Sequence, residues 1–228
     1  MKQGIVLQGP TDYYKEITDH YSQFNNVVWA TWDDESKLNL DYIKSQGIEV
    51  ILVEKPTYPG YLNVNMQVKS TFEGIKALEG KVDEILKVRS DTTISNLDLL
   101  LDGLKGRQLS FMATCKEGVR KDLAYDLVYY HTSHDYPADN VVYGKLEDML
   151  LMFDFQIDEM LQIPPESLII WNYMDSKGME FKLNYQHLID NGISFFTDIC
   201  LDKGVGVHWL KRNVNLVDWY KDRTVYDW

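Results

Sequence analysis

Cysteine is nearly absent from this 228-residue chain. The two present, Cys115 and Cys200, lie 85 positions apart with no CxxC and no Cys/His cluster around either. That argues against a disulfide-stapled scaffold and a thiolate metal site, and it reads as two buried thiols in a reducing compartment. Long apolar runs are missing as well. No window approaches the roughly 20 apolar residues that a membrane span needs. The start, MKQGIVLQGP, offers one Lys and a four-residue apolar stretch before Gln8, too little for a signal peptide. The expectation is a cytoplasmic protein without a transmembrane segment, any action at a membrane being exerted from its surface or through a partner. Basic residues are in deficit, 23 against 35 acidic ones, for a formal net charge of −12. Such a chain repels a phosphate backbone, which speaks against nucleic acid as a partner. A nucleotide ligand stays open, because a local Arg or metal overrides the global sign. There is also no GxSxG, P-loop, GxGxxG or HExxH, so Ser-His-Asp chemistry and the common phosphate loops are not suggested.

What is present is ordinary for a globular chain: 45% apolar, 25% charged and 13% aromatic residues. The length suits one ample domain. GIVLQGP (4–10), NNVVWATW (25–32), EVILVE (49–54) and the centre of DEILKVRSD (83–91) read as strands ended by turns. Helices are expected over 12–24, with Asp12 as N-cap and Tyr13, Ile17, Tyr21 and Phe24 on one face, over about 36–46, and over about 65–79. That alternation implies βαβ units and a mostly parallel sheet. In the second half, SFMAT (110–114), DNVVYG (139–144) and SFFTDICL (194–201) read as strands. Residues 146–163, 166–174 and 184–190 read as helices, and the Trp-rich tail as a terminal one. No repeat or linker divides the chain, and one α/β domain is expected.

In open parallel sheets, ligands bind beyond the carboxyl ends of the strands. The residues there are Gln8 to Thr11, Asp33 to Glu35, Glu54 to Thr57 and Arg89 to Asp91. Asp91, directly after a buried run, suits a Mg²⁺ or Mn²⁺ carried by a nucleotide diphosphate. Helix capping, or pairing with Arg89, is the simpler alternative. Three adjacent acids at Asp33-Asp34-Glu35 raise one another's pKa unless a cation or ligand compensates. One of them could hold a ribose or base edge, and a solvated turn with an N-cap explains them as well. Glu147 and Asp148 open the 146–163 helix, where the helix end alone stabilises carboxylates; the functional alternative is a general base. The five histidines show no metal-ligand spacing. His131 and His134 fit a polar loop, and His208, after Gly204-Val205-Gly206, is a lone candidate ligand. Six Trp and 15 Tyr could stack on sugars, although packing accounts for most of them.

Several segments read together. Leu7-Gln8-Gly9-Pro10, Val28-Trp29-Ala30-Thr31-Trp32, Asn65 to Thr71, Lys87-Val88-Arg89-Ser90-Asp91, Val141-Val142-Tyr143-Gly144 with Glu147-Asp148, and Pro165-Glu166 occur in an order that resembles the WavE-type lipopolysaccharide synthesis family. The resemblance spans residues 4 to about 175. It implies a single GT-A-like nucleotide-diphospho-sugar transferase domain, with 1–91 as the nucleotide half and 92–228 as the acceptor side and terminal helix. It further implies sugar transfer from a nucleotide-diphosphate donor to a glycan or lipid-linked glycan acceptor. Carried over, Gln8, Gly9 and Pro10 line the nucleotide pocket with Asp33 or Asp34, while Asn65 and Lys69 point toward sugar or pyrophosphate. Arg89-Ser90-Asp91 stands where such folds carry Asp-x-Asp, so Asp91 is left alone to meet a divalent metal (Mn or Mg), with His208 as a distant second ligand. Arg89 can then carry part of the diphosphate charge itself. Glu147 or Asp148 is the expected base. A nucleotidyltransferase would want a basic, Gly-rich loop after the first strand, and here no basic residue follows Gln8 until Lys15. A non-catalytic sugar- or nucleotide-binding module is the alternative from another class.

Overall fold

Uninterrupted aliphatic runs make strands that are covered on both faces, and the first half of the chain supplies three. β1 (Gln3–Gln8), β2 (Val27–Trp32) and β4 (Glu84–Arg89) are buried along nearly their whole length, whereas β3 (Glu49–Val53) is part-exposed. Helices α1 (Tyr14–Tyr21), α2 (Lys37–Ser45) and α3 (Val64–Lys76) join them. The computed structural model describes residues 1–112, 114–115, 136–137, 139–157, 165–180 and 185–217. The His131/His134 pair and residues 218–228 lie outside the described residues; the first part of the Trp-rich tail, expected as a terminal helix from Trp209, is instead the end of a strand, one 3-10 turn (Leu210–Arg212) and a short strand (Val214–Asn215).

The remaining described elements are β5 (Thr92–Ile94), α4 (Leu97–Leu104), β6 (Leu109–Phe111), β7 (Thr114–Cys115), β8 (Tyr136–Pro137), β9 (Val141–Lys145), α5 (Leu146–Phe153), α6 (Pro165–Ser176), α7 (Tyr185–Asp190), β10 (Ile193–Phe195), α8 (Thr197–Lys203), β11 (Val207–Trp209) and β12 (Val214–Asn215). The central sheet has seven strands in the order β3-β2-β1-β4-β9-β6-β10. All run parallel except β9, which is antiparallel to both neighbours. A small sheet, β12-β11-β5, is antiparallel throughout.

Helices cover both faces. On one, Ile17 and Tyr21 of α1, Ile43 of α2, the leucines of α4 and Cys200 of α8 pack against Leu7, Trp29, Leu86 and Val88. On the other, α3, α5, α6 and Leu188 of α7 pack against Val6, Val28, Ile85 and Val142. The α3 contact is close because of Gly74: a Cβ there would lie 2.6 Å from Val6 Cγ1 and 3.0 Å from the Ala30 Cβ. This mostly parallel sheet flanked by helices is the α/β architecture expected from the sequence.

Local boundaries differ from the sequence reading in several places. The first helix starts at Tyr14, and Asp12 makes no cap. The helix expected over 146–163 stops at Phe153, with residues 154–157 non-helical. There Asn65 brackets Ile157: its Nδ2 donates to the Ile157 carbonyl (2.7 Å) and its Oδ1 accepts the Ile157 N–H (2.9 Å), holding the chain out of helical bonding. The 194–201 run splits into β10 and the first residues of α8, so Cys200 is helical; burial pushes its thiol up to about 12. Helix α4 was not foreseen, although Leu97, Leu100, Leu101 and Leu104 repeat at helical spacing.

Candidate functional site

The chain leaves β1 toward β2 on one side and leaves β4 toward the strands on the other, so the strand order reverses between β1 and β4. A crevice forms outside the carboxyl ends of two such strands. β1 enters it through Gln8-Gly9-Pro10 and β4 through Arg89-Ser90-Asp91. Ser90 ties the two exits together: its N–H donates to the Gln8 carbonyl (2.8 Å) and its Oγ to the Pro10 carbonyl (2.7 Å). Gly9 has φ +123°, and a Cβ there would lie 2.8 Å from Ser90 Oγ, so the loop needs a bare backbone at this point. The Trp29 indole N–H donates to the Gly9 carbonyl (3.1 Å) from β2.

The acidic triplet after β2 divides its roles. Glu35 reaches the crevice rim and accepts from the Thr11 N–H (3.3 Å) and hydroxyl. Asn39 of α2 donates to the Thr11 carbonyl (3.3 Å) and Oγ1 (2.9 Å). Asp33 and Asp34 are exposed, and Asp34 pairs with Lys55 (2.6 Å). The two acids singled out from the sequence therefore face solvent, and their neighbour does the positioning.

The charged centre of the crevice lies on β4. Arg89 donates to both oxygens of Asp91, Nε to Oδ1 (3.1 Å) and an Nη to Oδ2 (2.9 Å). The Trp209 indole N–H donates to the same Oδ2 (2.8 Å), and the Thr92 hydroxyl reaches Oδ1 (3.4 Å). Burial works against both charges, yet the pair prevails: Asp91 holds Arg89 above its ordinary range, and Arg89 with Trp209 holds Asp91 below its own. Two residues back, Lys87 is fully buried and donates to the Asp139 carbonyl (2.7 Å) at the start of β9. Burial pulls Lys87 down to about 8, against the charge of Asp139. The Asp139 carboxylate itself accepts from Gln67 of α3.

Other residues expected at the site go elsewhere. Asn65 is buried at the crevice end of α3, but its amide is spent on the backbone of Tyr58 and Ile157, so it latches chain segments rather than facing a ligand. Lys69, one turn on, is half-buried with no ion pair among the described residues. Glu147 and Asp148 lie away from the crevice. β9 runs antiparallel, pairing Val141 with Val88 and Lys145 with Glu84, so it delivers the start of α5 to the opposite edge of the sheet. Five residues of β4 separate the two edges, roughly 16 Å at strand rise. Glu147 is exposed there, while Asp148 is buried in a 2.7 Å ion pair with Lys177. His208 lies apart from Asp91 as well. It neighbours Trp209 in β11, and successive strand side chains point to opposite faces, so Trp209 reaches Asp91 while exposed His208 is turned away.

Asp91 as it stands is committed to protein donors. A carboxylate offers about four acceptor positions, and those of Asp91 are taken by Arg89, Trp209 and Thr92. No group of three His, Cys, Asp or Glu converges among the described residues. Four roles escaped the sequence reading: Glu35 as anchor of the β1 loop, Lys87 as buried donor to the Asp139 backbone, Asp139 as acceptor from Gln67, and Trp209 as partner of Asp91. A lone cation inside the apolar run EILKVR was a usable signal for Lys87. Nothing local announces Trp209, which lies 118 residues from Asp91. No helix among the described residues is long and apolar enough to cross a membrane.

No family model matches the sequence, and no curated protein does. Solved structures do resemble the chain. One is a 4-diphosphocytidyl-2C-methyl-D-erythritol synthase from Anaerococcus prevotii, 14% identical over 79% of this chain and 85% of that one, with a TM-score of 0.47. A protein described as a glucose-1-phosphate thymidylyltransferase from Bacillus anthracis is 8% identical over 85% of each chain, also at 0.47. A mannose-1-phosphate geranyltransferase from Thermus thermophilus is 10% identical over 75% of this chain and 68% of that one, at 0.40.

Proposed function

We propose that the crevice between β1 and β4 binds the diphosphate of a nucleotide-sugar donor. The chain then transfers the sugar to a hydroxyl of a glycan or lipid-linked glycan acceptor in surface polysaccharide assembly. The observation that carries the reading is the convergence of Gln8-Gly9-Pro10 and Arg89-Ser90-Asp91 at the strand-order reversal, stitched by Ser90 and holding a fixed guanidinium. The departing group in such a transfer is a diphosphate, whose developing charge needs a cation preorganised beside it. Arg89 is that cation, and Asp91 orients it. The WavE-type resemblance of the segments around these loops supports the same reading. A nucleotidyltransferase finds no support in the β1 loop, where no basic residue precedes Lys15.

The second reading is a non-catalytic nucleotide- or sugar-binding module. It is favoured by the displacement of Glu147 and Asp148 to the far edge, which removes the expected base from the crevice. One experiment separates the two. Purified protein is incubated with a panel of nucleotide-sugars and a glycolipid extract, and release of nucleoside diphosphate is followed for wild type and Arg89→Gln. The transferase reading expects release from one donor, accelerated by acceptor and slowed at least about 100-fold by Arg89→Gln. Binding without release installs the module instead, and neither binding nor release overturns both.

A further inference from the structure

We propose that two guanidinium groups resting on one indole, Arg89 and Arg212 on Trp209, form a built-in site for the donor's diphosphate at the position where an acid pair would otherwise hold a divalent metal. This rests on the nucleotide-diphosphate reading above and adds a residue to it from the far end of the chain. Arg89 lies 5.2 Å and Arg212 4.6 Å from the Trp209 ring centre. Guanidinium groups stack on indole without giving up their N–H donors, which lie in the plane of the group.

The donors can be counted. A guanidinium has five N–H groups, and Arg89 commits two to Asp91, leaving three that make no hydrogen bond among the described residues, with the Asp139 and Glu166 charges also acting on the group. Arg212 is exposed and pairs with no carboxylate among the described residues. Arg89 already has its charge met by Asp91, with the Asp139 and Glu166 carboxylates also acting on it, so exposed Arg212 over the same indole supplies the uncompensated positive charge, in a chain of net charge −12. Two such forks match a group that carries two or more negative charges and several acceptor oxygens.

The segment that brings Arg212 is fixed in place at two points, both on Asp91. The Leu210 N–H donates to the Asp91 carbonyl (2.8 Å), and the Trp209 indole donates to its carboxylate. β11 also pairs with β5, opposing Trp209 to Thr92 and Val207 to Ile94. A single turn, Leu210–Arg212, then folds the second guanidinium back onto the ring. Asp91 thus acts as a positioning residue: it orients Arg89 directly and Arg212 through Trp209, and its oxygens are consumed in doing so. The same acid cannot meet a metal without releasing both.

The test is calorimetric titration with inorganic pyrophosphate in EDTA, with orthophosphate and a panel of nucleoside diphosphates as parallel arms. Wild type, Arg212→Gln, Arg212→Lys and Arg89→Gln are compared, each with a thermal melt. Wild type should bind pyrophosphate without metal and more tightly than orthophosphate. Arg212→Gln should weaken it about tenfold with an unchanged melt, Arg212→Lys less, and Arg89→Gln should abolish it. Arg212 is exposed, so its variants remain informative if Arg89→Gln fails to fold. A wild-type affinity in Arg212→Gln, or pyrophosphate binding only when Mn²⁺ is added, overturns the inference and leaves the donor reading standing. Pyrophosphate binding that needs both arginines, with no nucleoside diphosphate bound more tightly, upholds the anion site and overturns the donor.

Discussion

The ion pair between Asp148 and Lys177 provides a test of which sheet edge is functional. The carboxylate is 1% exposed, whereas Lys177 keeps 28% of its side chain in solvent, and the two meet at 2.7 Å. Asp148 also accepts from the Tyr173 hydroxyl at 3.3 Å, and that hydroxyl accepts from Gln108 (3.2 Å). The asymmetry in exposure sets the magnitudes. Lys177→Met strands a buried charge with one long hydrogen bond, at a cost of about 3–5 kcal/mol. Asp148→Asn leaves a lysine that turns outward to water and an amide that still accepts from Tyr173, so it should cost only about 1–2 kcal/mol. The double variant should be more stable than Lys177→Met alone, because the uncompensated charge has gone. Urea unfolding with unchanged m-values reads all three, beside pyrophosphate affinity and donor turnover. Neither single variant should alter affinity or turnover of the folded protein. An Asp148→Asn chain as stable as wild type but without turnover would refute the argument and restore Asp148 as a catalytic base.

Three further outcomes are expected. Gly74→Ala should cost about 1–3 kcal/mol in urea unfolding, because its methyl meets Val6 at 2.6 Å and helix and sheet must separate; an unchanged midpoint would mean that α3 has slack against the sheet. Gly9→Ala should abolish pyrophosphate binding at a stability cost of about 1–3 kcal/mol, since both its positive φ and the Ser90 Oγ at 2.8 Å oppose a side chain; retention of wild-type affinity would place the anion site elsewhere. Lys87, at about 8 when folded and 10.5 when unfolded, loses its proton in the folded state first. Wild type should therefore gain up to about 3 kcal/mol relative to Lys87→Met as pH rises from about 8 to 10.5, and a flat difference across that window would show that the buried amine stays charged.

The strands of the first half were legible because strands covered on both faces are written as continuous apolar runs, and Val28 to Trp32 or Ile85 to Val88 can hardly be anything else. The positions of Gln8 to Pro10 and Arg89 to Asp91 at the crevice follow from those runs and the rule for parallel sheets. Strand direction is not encoded in composition. DNVVYG reads the same whether it runs with β4 or against it, and that one choice moves Glu147 and Asp148 across the sheet. Side-chain partners were equally hidden. Asn65 faces Ile157 across 92 residues and Asp91 faces Trp209 across 118, distances at which no periodicity carries information. The pairing of Arg89 with Asp91 was different, being two residues apart and one of the alternatives open from the sequence alone.

That pairing changes what an acid after the fourth strand is for. A divalent cation would bring compact charge to a diphosphate, but it must be recruited, and it needs carboxylate oxygens free to receive it. A guanidinium is charged at every physiological pH and is already in place. Its weakness is freedom: a long side chain that is not held presents its fork in many orientations. Here two oxygens of Asp91 fix the fork, the Trp209 ring centre lies 5.2 Å from the guanidinium carbon, and the indole N–H is itself fixed by the same carboxylate. The acid therefore stands where a metal ligand was expected and does a different task, converting a flexible cation into a directional one. Replacing it by Asn should keep one acceptor for Arg89 and lose the bidentate hold, so pyrophosphate affinity should fall less in Asp91→Asn than in Asp91→Ala. An Mn²⁺-dependent ligand site lost equally in both variants would instead assign the carboxylate to a metal.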